Sequence, residues 1–131
     1  MLNKLKNIPL LDKVHLSHPD GSLLMQVGDR AARGYLCTLS LTLAIFIDES
    51  DYMSYETARY ITLLLARYPE IHDYALQLTG EGGWLCCYYS ESMTTENMAA
   101  EIEKQLAITR YLGSIISCQR NASRDGKYEK K

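Results

Sequence analysis

The sequence predicts an α+β domain: an antiparallel sheet of about five strands with three helices, in the order α-β-β-β-α-β-β-α. Three observations carry this. Tyr35, Cys37, Leu39, Leu41, Leu43, Ile45 and Ile47 occupy every odd position of one run, the period of a half-buried strand. Residues 72–89, HDYALQLTGEGGWLCCYY, read as a hairpin with a glycine-rich turn. Two further segments, from Ser54 to about Tyr68 and from Thr94 to about Ser117, space their apolar residues at the helical period.

The elements follow in chain order. Residues 4–16 read as weakly helical, with Leu5, Ile8, Leu11 and Leu16 near one stripe and Pro9 limiting any helix to a segment that begins close to it. His18 to Ser22 carries turn chemistry, and Leu23 to Val27 alternates as a first strand. Gly28 to Gly34 reads as a polar connection. The odd-position run that follows is too long for one ordinary strand, which predicts a bend or bulge near Ser40 or one strongly curled strand.

Ser54 is placed to cap the second helix, with Glu56 at the positive end of its dipole. Tyr55, Ala58, Ile61 and Leu65, with Leu64 beside them, form its expected inner face, and Pro69 ends it. In the hairpin, Tyr74, Leu76 and Leu78 alternate against Ala75, Gln77 and Thr79, and Gly80 to Gly83 supply the turn. The return strand is apolar on both sides, Trp84, Cys86 and Tyr88 on one and Leu85, Cys87 and Tyr89 on the other. Such a strand asks for cover on both faces. Thr94 is placed to cap the third helix, with Met93 and Met98 as a hydrophobic staple. That helix carries two stripes: Met98, Ile102, Leu106, Thr109 and Ile116, and Ile108, Tyr111, Leu112 and Ile115. Residues 1–118 thus form a single domain, and residues 119–131, polar and without periodicity, are expected to be a disordered tail.

Composition narrows the function. A chain of 131 residues with 47% hydrophobic and 23% charged residues is sized for one core. A net charge of -2 gives no field suited to gripping nucleic acid. No stretch reaches the roughly 20 apolar residues of a membrane span, and the N-terminus lacks an apolar run of signal-peptide length, so the expected location is a cytoplasm. Cys37, Cys86, Cys87 and Cys118 show no CxxC spacing and read as reduced packing residues. No phosphate-binding glycine loop occurs, and His15, His18 and His72 make no recognisable nucleophile pair or metal set, so no catalytic residue, metal or cofactor is implied. Glu101 and Lys104 decorate a solvated helix face.

What remains is binding. Ten tyrosines against one Phe and one Trp suit half-wet interfaces. The doubly apolar strand and the second helical stripe nominate Trp84, Tyr88, Tyr89, Ile108, Tyr111, Leu112 and Ile115 as partner-binding residues. His72, beside Asp73 at the head of the hairpin, is a candidate pH sensor, against the simpler reading that it ends a loop and bonds to backbone.

IPLL at Ile8–Leu11, ARG at Ala32–Gly34, YITLLLARYPEIHDYALQLT at Tyr60–Thr79, GGWL at Gly82–Leu85, the pair Tyr88 and Tyr89, and EIEKQLAIT at Glu101–Thr109 form a set of strings in fixed order. Together they resemble the SpiC/SsaB family of type III secretion proteins. The resemblance spans residues 8–116 and departs from the family pattern at Cys86, Cys87, Asp48–Met53 and the tail. It implies a non-enzymatic part in the switch that holds back effector export until translocators are secreted. The partners it implies are a small SsaM-like protein and a gatekeeper of the SsaL/SepL type, with SepD as a distant relative and self-pairing into a homodimer left open. It places the chain in the bacterial cytoplasm at the base of the secretion apparatus. An alternative view of the family is of secreted effectors that disturb host vesicle trafficking. The element order is also similar to the small dimeric chaperones of these systems.

Overall fold

The computed structural model describes residues 1–17, 21–49, 51, 53–67 and 74–129, with side chains through Cys118. Among them, three helices and six strands run in the order α1 (Leu2–Lys6), β1 (Leu11–Leu16), β2 (Ser22–Val27), β3 (Arg30–Cys37), β4 (Ser40–Glu49), α2 (Tyr55–Arg67), β5 (Tyr74–Leu78), β6 (Gly82–Ser90) and α3 (Thr95–Glu129). The strands form one sheet, β1-β2-β3-β4-β6-β5, antiparallel at every pair. The α+β class is as expected, with one strand more than the sequence suggested.

The added strand is β1. Residues 11–16 pair with β2, Leu11 opposite Val27 and His15 opposite Leu24, and the ladder is interrupted between Asp12 and His15. At that interruption Lys13 takes a φ of 55, a left-handed conformation costly for a side chain with a Cβ. The extra residue turns a period of two into one of three: Leu11 is buried and Val14 half-buried. With Leu5 and Ile8 buried just upstream, the spacing imitates a helix, although α1 stops at Lys6.

The stretch read as a polar connection is mostly strand. Gly28, with φ 59, and Asp29 make a two-residue turn, and β3 begins at Arg30. A positive φ at the first turn position is what tight hairpins demand and what glycine supplies without strain. β3 escapes notice because its inward residues are small, Ala32 and Gly34, where bulk would crowd Met25 and Leu41. The odd-position run is divided near Ser40, as expected, but by a hairpin turn at Thr38 and Leu39 rather than a bend: β3 ends at Cys37, β4 runs back antiparallel from Ser40, and Tyr35 faces the opposite side from Leu41, Leu43 and Ile45.

Both predicted helix caps form. Ser54 Oγ accepts from Thr57 N at 3.2 Å, and Thr94 Oγ1 accepts from Asn97 N at 3.1 Å. Tyr55, placed by the sequence on the inner face of α2, instead stands 81% exposed, because the buried stripe is Ala58, Ile61 and Leu65. The helix α3 spans Thr95–Glu129, longer than the segment to about Ser117 that the apolar period marks. Extending an existing helix costs far less than nucleating one.

All three helices pack on one side of the sheet. Leu23, Met25, Val27, Leu41, Leu43, Ile45, Leu85 and Tyr89 from the strands meet Leu5, Ile61, Leu65, Met98, Ile102, Leu106, Leu112 and Ile116 in a single core. Gln105, fully buried on α3, locks helix to sheet: its Nε2 donates to Leu43 O at 3.0 Å and Leu85 O at 2.9 Å, and its Oε1 accepts from Tyr89 OH at 2.6 Å. Among the described residues no helix lies over the other side of the sheet.

Candidate protein-interaction surface

Cross-strand partners share a face, so the register reads out the open side of the sheet row by row. One row is Ser22, Tyr35, Thr42 and Tyr88. The next is His15, Leu24, Arg33, Ala44, Cys86 and Ala75. A third pairs Phe46, Trp84 and Gln77. Tyr35 and Tyr88 stand more than half exposed and Leu24 is exposed at 42%, while Ala44 is buried among its neighbours. The middle row is small only on β4, β6 and β5, where Ala44, Cys86 and Ala75 form a shallow floor beside Tyr88 and Trp84; on β1, β2 and β3 it carries His15, Leu24 and Arg33. At its β1 end lies a cavity of about 300 Å³ lined by Lys13, His15, Leu24, Met25, Gln26 and Ala31. Burial raises the Cys86 thiol pKa above its ordinary value, so this floor residue is a neutral packing group.

Trp84 lies on this open side yet is only 4% exposed. The Phe46 ring meets it edge-on with centroids 5.0 Å apart, and the Arg33 guanidinium lies 4.3 Å over its face. Arg33 is held there by an ion pair with Glu81 in the hairpin turn. The indole Nε1 donates to Thr79 Oγ1 at 3.1 Å. That oxygen also receives Glu81 N and Gly82 N, so one threonine ties the turn to the ring. The second cover demanded by the doubly apolar strand is thus supplied partly by the chain's own polar side chains.

Trp84, Tyr89 and Leu112 are inside the subunit, and Ile108 and Ile115 are half-buried against the core. The reason is geometric: the two stripes of α3 are adjacent, and a sheet of six strands is broad enough to cover most of both. Tyr88 and Tyr111 remain exposed, on opposite sides of the sheet. His72 lies outside the described residues.

A second surface escaped the sequence reading. Tyr55, Arg59, Leu63 and Arg67 recur at i+4 along the outer side of α2, with Tyr60 beside them, and Tyr55, Tyr60 and Leu63 are all exposed. Tyrosine and arginine are the residues most enriched where protein interfaces draw their energy. This helix packs on β5, the terminal strand of the sheet, where Leu78 is 52% exposed. β5 (YALQL) carries no charge, no proline and no register shift. β1, the opposite edge, has a bulge and Asp12, Lys13 and His15, the usual deterrents to strand addition. The α2 stripe was legible in principle, since it is the complement of the buried Ala58, Ile61 and Leu65.

Among the described residues no three His, Cys, Asp or Glu side chains gather as a metal site, and no helix is long and apolar enough to cross a membrane. No protein-family model matches the chain, and no solved structure matches it. It is 39% identical over 116 residues to the "SpiC homolog" of Salmonella typhi, covering 88% of this chain and 91% of that protein. It is equally similar to "Salmonella pathogenicity island 2 protein C" of Salmonella typhimurium strains 14028s and LT2, covering 87% of each. With that identity across nearly the full length of both proteins, the chain belongs to the SpiC/SsaB family.

Proposed function

We propose that this protein is a non-catalytic, chaperone-like binding component of a type III secretion switch. It pairs with a small SsaM-like protein and docks on an SsaL/SepL-like gatekeeper, holding back effector export while translocators pass. The observation that carries the pairing is the α2–β5 side: an uncharged terminal strand beside an outward Tyr55, Arg59, Tyr60 and Leu63 stripe. An extended strand from a partner satisfies such an edge through backbone hydrogen bonds, and its apolar side chains gain cover from α2. Membership of a family whose curated members are named for a Salmonella pathogenicity island supports placing the partner within the same secretion system.

The test is co-expression with the SsaM-like and SsaL/SepL-like proteins of the same gene cluster, followed by mass measurement in solution. A stable complex is expected. The double substitution Leu63→Asp and Leu78→Asp should weaken it at least tenfold, about 1.4 kcal/mol, without lowering the thermal midpoint. A protein that stays a lone monomer beside both partners, or a homodimer that excludes them, overturns the reading. Recovery of the protein from host cytosol after infection, with no effect of its deletion on translocator export, would favour the effector role instead.

A further inference from the structure

We propose that the outward line of α2 pairs with the same line of a second copy of this chain, antiparallel and about a two-fold axis. At about 100° per residue, Glu56, Tyr60, Leu63 and Arg67 fall within an arc of about 60°, opposite the buried Ala58, Ile61 and Leu65. All four are exposed. Their order is acid, aromatic, aliphatic, base, and their spacing is symmetric about the midpoint between Ile61 and Thr62. An antiparallel copy therefore sets Glu56 against Arg67 of the second copy and Tyr60 against its Leu63, and the two-fold axis repeats both contacts. No other arrangement of this line satisfies it as well. A parallel pair puts Glu56 on Glu56 and Arg67 on Arg67, and a slip of one turn sets Arg67 against Tyr60 or Glu56 against Leu63.

The groups are free to make these contacts. Among the described residues, neither Glu56 nor Arg67 has an ion partner in its own chain, and Tyr60 and Leu63 leave apolar area in water. Tyr60 against Leu63 supplies the burial, and the charges at the two ends fix direction and register more than strength. The row through Tyr55 and Arg59 drifts to one side of the line, about 60° away at Arg59, and stays at the rim. The thirteen residues of α2 span about 20 Å, so the contact falls short of the roughly 800 Å² per partner of a standard interface. A weak dimer follows, with a dissociation constant on the order of tens of micromolar. Tyr60 and Leu63 also belong to the side assigned above to the secretion partner, so the self-pair and that complex exclude one another. Only this exclusion rests on the proposed function; the self-pair does not.

The test is sedimentation equilibrium of the full chain alone, from about 5 to 500 µM, a range that brackets such a constant. A monomer–dimer equilibrium is expected. Glu56→Arg and Arg67→Glu should each weaken it at least tenfold, because every dimer contains the reversed contact twice, and Tyr60→Lys should do the same. Tyr111→Lys on α3 should leave it unchanged. The decisive arm mixes the two charge variants: neither pairs with itself, yet Glu56→Arg should pair with Arg67→Glu, and the double variant carrying both changes should dimerise like the parent. All sites are exposed, and unchanged far-UV circular dichroism confirms that each variant is folded. A chain that stays monomeric to about 500 µM, a dimer indifferent to both reversals, or reversals that the mixture does not rescue overturns the proposal. Adding the SsaM-like protein to the parent should replace the dimer by a one-to-one complex. A complex holding two copies joined through α2 overturns the exclusion, and a self-pair that ignores the SsaM-like protein counts against the proposed function alone.

Discussion

The two sides of one sheet are built on different terms. On the helix side, Leu43, Ile45, Leu85 and Tyr89 are sealed by α2 and α3, and the polar intruders Gln105 and Thr109 have their side-chain groups bonded. On the open side the largest ring, Trp84, is covered instead by Arg33, Phe46 and a threonine, while Leu24, Tyr35 and Tyr88 are left in water. The first arrangement resists change through close packing over a broad area; the second rests on a few exchangeable side chains. The helix side therefore governs whether the protein folds, and the open side and sheet edge are free to govern what it meets.

Substitution at two residues of β6 should show this most sharply. Leu85, fully buried, and Tyr88, 61% exposed, sit on the same strand but on opposite faces. Leu85→Ala removes core packing and leaves a cavity, so a loss of about 2–5 kcal/mol in denaturant unfolding is expected. Tyr88→Ala should stay within about 0.5 kcal/mol of the parent, as exposed positions usually do. Comparable losses from the two would mean that the faces are not distinct.

The sequence revealed the helix side better than the open side, for identifiable reasons. Met98, Ile102, Leu106, Thr109 and Ile116 follow a helical period, and all are buried as that period demands. Ser54 and Thr94 signal their caps through strictly local chemistry. What hides from a linear reading is whatever depends on distant residues or on a broken period. β1 is masked by the extra residue at Lys13, and β3 by small inward residues. The strand of Trp84 is apolar on both faces in sequence terms, yet the cover on its ring comes from Arg33 and Phe46, far away along the chain. Ile108 and Ile115 look like a spare stripe until the breadth of the sheet beneath α3 is known. The outward stripe of α2 is masked by Tyr55, whose ring suits either side of a helix, although Tyr55, Arg59 and Leu63 share one line.

A smaller effect is expected from the polar lock on the helix side. Gln105→Leu keeps the bulk but strands Leu43 O, Leu85 O and Tyr89 OH as far as this side chain served them, a cost of about 1–3 kcal/mol. Tyr89→Phe removes one member, and the double variant should cost less than the sum of the two single ones, the mark of a shared network. A pH titration adds a separate readout. Burial, followed by the neighbouring Cys87 and Tyr74, drives the Tyr89 hydroxyl pKa far above its ordinary value, so it stays protonated when folded. The unfolded chain ionises near pH 10, so this group costs no stability below that point and costs progressively more as pH rises above it. In Tyr89→Phe the alkaline decline should be shallower; an unchanged profile would remove Tyr89 from the account.

The smallest effect, and the one that sharpens the contrast most, concerns the cover on Trp84. Arg33 is a third exposed and paired with Glu81 at the surface, so its ion pair is screened by solvent and contributes little by itself. Its worth lies in the guanidinium over the indole, about 0.5–1 kcal/mol for a cation over an aromatic face at a partly wet site. Arg33→Ala should therefore lower stability only slightly while letting water reach the ring, seen as a red shift and easier quenching of the single tryptophan. Glu81→Gln should leave Arg33 stacked and shift the emission less. If Arg33→Ala instead unfolded the protein as Leu85→Ala is expected to weaken it, the open side would be a second core rather than a surface held shut by a few polar side chains.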